Sequence, residues 1–224
     1  MNTHTLYRLS AYALIAAFLF SLVGGLLHPI VDGHSHSAEA FLAPASPWAQ
    51  ISIYVGALFL MLGLPGGYLW FRERLGVLGF VGFLLYFLAN AVSAQSHLVV
   101  EAFVGPTLAE DPTTRHLIPE SGAIFDAPAF VGLQMVGALV LIASLILIGI
   151  ALVRAPGLPT GLGWFLVVGA ALLLVPFPEV PGVSGALVEV PRGLAVGVLA
   201  IQMLRELAVR PVVRTSPSAV VPSV

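Results

Sequence analysis

The sequence predicts an all-α fold: a polytopic membrane helix bundle of about six spans with both termini cytoplasmic. Three observations carry that prediction: extreme apolarity, six long apolar segments, and a one-sided placement of arginine. Of the 224 residues, 58% are hydrophobic and 9% are charged, and mean hydropathy is +1.01. A soluble domain carries roughly 25% charged residues. So little charge cannot cover a globular surface, and lipid has to serve as the solvent.

A span needs about 20 apolar residues, and the segments that qualify are 9–28, 48–71, 75–104, 127–153, 161–177 and 183–204. The first follows Arg8 and runs through "LSAYALIAAFLFSLVGGLL". It is long for the apolar core of a secretory leader, and Ala38-Glu39-Ala40, the nearest small-x-small triplet, lies well beyond it. It is therefore read as a retained span. The second closes on "GLPGGYLWF" before the charged "RER". The third is long enough that its last turns rise out of the hydrocarbon. The fourth is almost uniformly apolar. The fifth is short and is stopped by the prolines of "VPFPEVPG". The sixth contains "VEVPRGLAV", and 205–224 reads as a frayed cytoplasmic tail. Residues 1–204 thus form one transmembrane domain.

With the N-terminus inside, all nine basic residues except Arg115 and Arg192 fall at cytoplasmic ends. That bias fixes orientation. Trp48, Trp70 and Trp164 fit interfacial belts. All of the eleven carboxylates but Glu73 and Glu206, and all of the six histidines but His4, collect on or near the opposite face.

The absence of cysteine excludes disulfides, thiolate metal sites, iron–sulfur clusters and cysteine nucleophiles. A net charge of −2 gives no sign of nucleic-acid binding. No P-loop, HExxH, GxSxG or dinucleotide fingerprint occurs in a usable context. Ser96, His97 and Asp126 supply the residue types of a hydrolase triad, but Ser96 lies about 100° round an α-helix from His97. A transporter is disfavoured because the cytoplasmic half lacks a polar path.

Chemistry concentrates in two stretches. In "ANAVSAQSHLVVEAF", at 89–103, helical spacing of about 100° per residue aligns Asn90, Ser93, His97 and Glu101 on one stripe. Such groups face the bundle interior or water rather than acyl chains. His97 and Glu101, at i and i+4, can share one metal ion; the alternative is an interhelical hydrogen-bond seam. In "HPIVDGHSHS", Pro29 ends the first span at His28, and Gly33 permits a turn. His28, Asp32, His34 and His36 can then converge, with the last three as a lid; otherwise the loop is simply solvated. At 1.5 Å per residue, His28 and His97 both sit roughly 30 Å above the cytoplasmic ends of their spans.

The same depth arithmetic adds Tyr54, Asp126, Gln134, Glu189 and Arg192 to a polar layer around that pocket. Glu189 and Arg192 are spaced to pair within the sixth span, because an unpaired arginine there is costly. They serve either as a structural pair or as a clamp for an anionic ligand. Imidazole and carboxylate ligands without thiolate suit a transition metal, copper or zinc, in a redox-accessory or metal-handling role. A b-type haem with His28 and His97 as axial ligands is the first alternative. A structural subunit, as a homo-oligomer or in a larger membrane complex, is the second; its small-residue faces include Gly24, Gly25, Gly66, Gly67, Gly137, Gly193 and Gly197.

The order "LLHP", "PW", "GLPGGY" and "EAFVGPTLAE" over the first half of the chain resembles a bacterial multi-pass family without an assigned activity. The resemblance implies a six-span inner-membrane fold and marks His28, Pro29 and Glu101 as matching positions. It does not extend to the "HSHS" stretch.

Overall fold

A computed structural model describes residues 2–119, 125–175 and 177–209. Among them the fold is all-helical, without strands. Helix α1 spans Thr3–Leu27. The Asn2 side chain caps it by accepting from the His4 N–H at 3.1 Å, and it stops where His28 precedes Pro29. A single turn, α2 (Ala38–Phe41), is capped by Ser37. Helix α3 spans Trp48–Val92 and passes into two π-helical segments, Ser93–Leu98 and Val100–Val104, then into α4 (Gly105–Glu110). After a 3-10 turn at Arg115–Leu117 come α5 (Pro128–Arg154), α6 (Thr160–Leu172) and α7 (Val183–Val209).

Four stretches are long and apolar enough to cross a membrane: Thr3–Leu27, Trp48–Glu110, Pro128–Arg154 and Val183–Val209. The second, of 63 residues, is folded in half. Gly76 has φ 58° and ψ −158°, and the chain reverses there. Tyr68 meets Phe80 and Phe83 with ring centroids 5.5 and 5.9 Å apart. Ile53 and Ala57 share a cluster with Ala94 and Leu98, residues that a straight helix would hold roughly 60 Å away. The two arms, 48–75 and 77–104, contain most of the expected segments 48–71 and 75–104. Only glycine occupies this φ/ψ region readily. Gly76→Ala is accordingly expected to cost about 1–3 kcal/mol, read as a lowered thermal midpoint with unchanged helix content.

The helices pack in sequence around a ring. The first arm of α3 lies on α1, α1 on α7, α7 on α6, α6 on α5, and α5 on the second arm of α3. Small residues set the spacing. A Cβ on Gly185 of α7 would fall within the backbone of Gly25 on α1, and one on Gly163 of α6 would come within 2.5 Å of the Gly149 carbonyl of α5. Gly24 faces Ile53, Gly66 faces Ser10, Gly67 faces Leu14 and Gly137 faces Val92, while Gly193 and Gly197 straddle Phe18. These glycine faces pack against neighbouring helices of this chain. Leu62, Val77, Met135 and other large apolar side chains are exposed instead, as lipid-facing positions should be.

At the arginine-rich end, Arg74 donates bidentately to Glu206 at 2.9 and 2.8 Å. Trp70 Nε1 donates to the same carboxylate at 2.9 Å, tying the first arm of α3 to α7. Two boundaries differ from expectation. Helix α6 has 13 residues and ends at Leu172 rather than near 177, and α7 continues to Val209, so the tail begins later than 205. Residues 210–224, with Arg210 and Arg214, lie outside the described residues.

Candidate metal centre

Three segments converge at the opposite end of the bundle. The helix-ending Pro29 leaves His28 at the tip of α1. Asp32 (φ 51°) and Gly33 (φ 80°) then make a tight turn, closed by paired backbone hydrogen bonds between Val31 and His34. The returning strand of that turn carries Ser35 and His36 inward. Phe41 of α2, packed with Ala38, Ala109 and Ile118, anchors it, and an exposed Arg115–Glu39 pair joins the same cap. Beneath lies Glu101 on the π-helical stretch.

The π turns shape the site. Pro106 follows closely, and a regular α-helix through it would set its ring against the Ala102 carbonyl. The i→i+5 pattern widens the helix over residues 93–104. His97 and Glu101 remain neighbours one turn apart, with His97 Nε2 at 3.3 Å from Glu101 Oε2.

Glu101 is 1% exposed and receives three imidazoles. His28 Nε2 lies 2.5 Å and His36 Nε2 3.5 Å from its Oε1. The rings of His36 and His97 are edge to face, with centroids 5.4 Å apart. One ligand atom each from His36, His97 and Glu101 fall within 4.8 Å of one another, so these three form a group that could hold a metal ion. His28 bonds the carboxylate from outside that trio.

The other side of His36 is also engaged. Ser35 Oγ lies 3.5 Å from His36 Nδ1 and donates to Glu179 Oε1 at 3.1 Å. A ligand imidazole whose second nitrogen is held by a polar group has its ring orientation fixed. Sequence reasoning missed Glu179: its only mark is an acid set among the prolines of "VPFPEVPG", which read as a stop.

A cavity of about 350 Å³ opens beside the cluster. His28, His36, His97 and Glu101 line it, as do Ser93, Gln134, Glu189 and Arg192 from the expected polar layer. Glu189 and Arg192 pair side by side, the guanidinium Nε donating at 2.8 Å. Gln134 donates to Ser96 Oγ at 3.2 Å, a contact not foreseen for Ser96. Asn90 is buried one layer deeper and donates to the Tyr86 carbonyl at 2.8 Å.

Four expected members lie elsewhere. Asp32 and His34 are exposed, because the Asp-Gly turn points its tip away from the bundle. His34 instead lines a surface groove with Arg115 and His116. Tyr54 packs on the Ile53–Leu98 cluster outside the cavity, and Asp126 is exposed ahead of α5. With Asp126 apart from His97, the triad elements stay unassembled. The carboxylate of Glu101 lies between His28 and His97 and bonds both.

No protein-family model, curated protein or solved structure matches this chain. The likeness to a bacterial multi-pass family therefore rests on its short motifs alone.

Proposed function

We propose that this is a multi-pass inner-membrane protein that binds one transition metal ion, zinc or copper, at His36, His97 and Glu101. The observation that carries the reading is the convergence of two imidazoles and a buried carboxylate from separate segments within 4.8 Å. Two histidines and one carboxylate are a ligand set used by catalytic zinc, which keeps a further position open. Here all three residues line the cavity. His28 is the orienting group on Glu101, and Ser35 with Glu179 holds His36. The arginine bias supports six spans with both termini cytoplasmic, which sets the site at the extracytoplasmic side. A metal-handling or redox-accessory role follows from such a placement.

The test is elemental analysis of full-length protein purified in detergent and dialysed against zinc or copper. One ion per chain is expected in the wild type, with loss in both His36→Ala and His97→Ala. A metal-free wild type, or variants that keep the full complement, would overturn the reading. An absorption spectrum of the same sample separates the haem alternative, which requires a Soret band.

A further inference from the structure

The cavity extends well beyond the metal ligands, and its shape points to what enters it. Val92 and Ser93 form one wall, Ala138 and Leu141 of α5 a second, and Gly185 and Val188 of α7 a third. Helix α6 contributes nothing to this lining. Its geometry explains why. Gly163 meets Gly149 of α5, and Gly169 meets Pro191 of α7, so α6 wedges α5 and α7 apart. It then ends three residues later, at Leu172. From there towards the histidines, among the described residues, α5 and α7 have no helix between them and make no substantial contact of their own. Ala138 lines the cavity and is exposed, so the cavity reaches the lipid-facing surface.

The charges narrow the occupant. The lining holds three carboxylates, Glu101, Glu179 and Glu189, against one guanidinium, Arg192, which Glu189 already engages. A divalent ion brings the lining to neutrality. Against that neutral lining, a single negative charge on an oxygen bound to the ion is less costly to bury than the two of a phosphate. A largely apolar slot open to lipid, with one free metal position at its end, fits a long chain bearing a singly charged oxygen ligand.

We propose that the cleft between α5 and α7 admits a single-chain carboxylate amphiphile from the bilayer, its head reaching the His36–His97–Glu101 cluster. This rests on the metal reading above and names the ligand class of the same site.

The experiment uses the full chain in phosphatidylcholine nanodiscs loaded with cobalt(II), whose visible bands report on its ligands. Myristate is expected to shift those bands saturably, while butyrate, with the same head and almost no chain, leaves them unchanged at equal concentration. Ala138→Trp, on the exposed wall, should weaken the myristate effect about ten-fold, roughly 1.4 kcal/mol, with cobalt stoichiometry unaltered. A diazirine-bearing fatty acid should label residues 134–141 and 184–188 in preference to the rest of the lipid-facing surface. Bound cobalt with no response to myristate, or an equal response to butyrate, would overturn the proposal. So would labelling spread evenly round the bundle. Failure to bind cobalt removes the metal reading instead; labelling confined to those residues then retains the cleft, and diffuse labelling removes both.

Discussion

Glu101→Gln is expected to abolish stoichiometric metal binding while the helices still assemble. The change keeps the shape of the side chain and one acceptor oxygen, but removes the anionic ligand. Three imidazoles lie within 3.5 Å of the native carboxylate, which is 1% exposed. An amide must turn its nitrogen towards at least one of them, leaving a poorly matched buried polar contact worth about 1–3 kcal/mol. A lower thermal midpoint should therefore accompany the loss of metal. Affinity should fall by more than the roughly 10–100-fold that follows removal of an orienting group. His28→Phe supplies that comparison, because it removes the hydrogen bond to Glu101 and leaves the proposed ligands in place. Titration against a competing chelator measures both. Wild-type affinity in Glu101→Gln would show that Glu101 is not a metal ligand.

Gly185→Val should have the largest effect on stability. A Cβ at Gly185 would overlap the Gly25 backbone, and neither main chain can yield as a flexible side chain would. Over-packing costs typically 1–3 kcal/mol, and more where relaxation is blocked; about 3 kcal/mol or more is expected here. The damage also reaches the site, since His28 follows Gly25 by one turn and Glu189 lies one turn from Gly185. Loss of metal should therefore accompany the fall in thermal midpoint. Gly132→Ala, where no atom lies within 4 Å of the added carbon, is the matched control. It should be neutral or slightly stabilising, because alanine favours helix over glycine. Equal midpoints for the two variants would refute the close crossing of α1 and α7.

The long apolar segments were legible because lipid solvation demands composition, and composition is local. The reversal between the second and third segments was legible for the same reason: "RER" interrupts the apolar run, and Gly76 lies directly beyond it. Depth counting placed His28 and His97 at one level, and both now meet Glu101. His36 was read as one of three equal lid residues. Which of them turns inward depends on two successive positive φ angles at Asp32 and Gly33, a detail that the tripeptide "DGH" permits but does not require. The π register was illegible, since no local pattern marks where i→i+4 bonds give way to i→i+5. Ser96, which about 100° per residue turns away from the stripe, is indeed absent from the cavity lining, and Gln134 reaches it at the edge. Glu179 depends on a contact across more than half the chain, and spacing carries no trace of it.

The brevity of α6 bears on the surrounding bilayer as well. Thirteen residues make a rod of roughly 20 Å, whereas the hydrocarbon slab is about 30 Å thick. Beyond Leu172 the chain keeps its polar groups occupied locally: Leu174 and Val175 donate to Ala171 and Leu172, and the Val180 N–H donates to Ser184 Oγ. Leu174, Val175, Phe177 and Val180 are exposed beyond the end of α6, so irregular chain extends the apolar flank past the helix. Acyl chains along that side are therefore met by helix over only part of their depth.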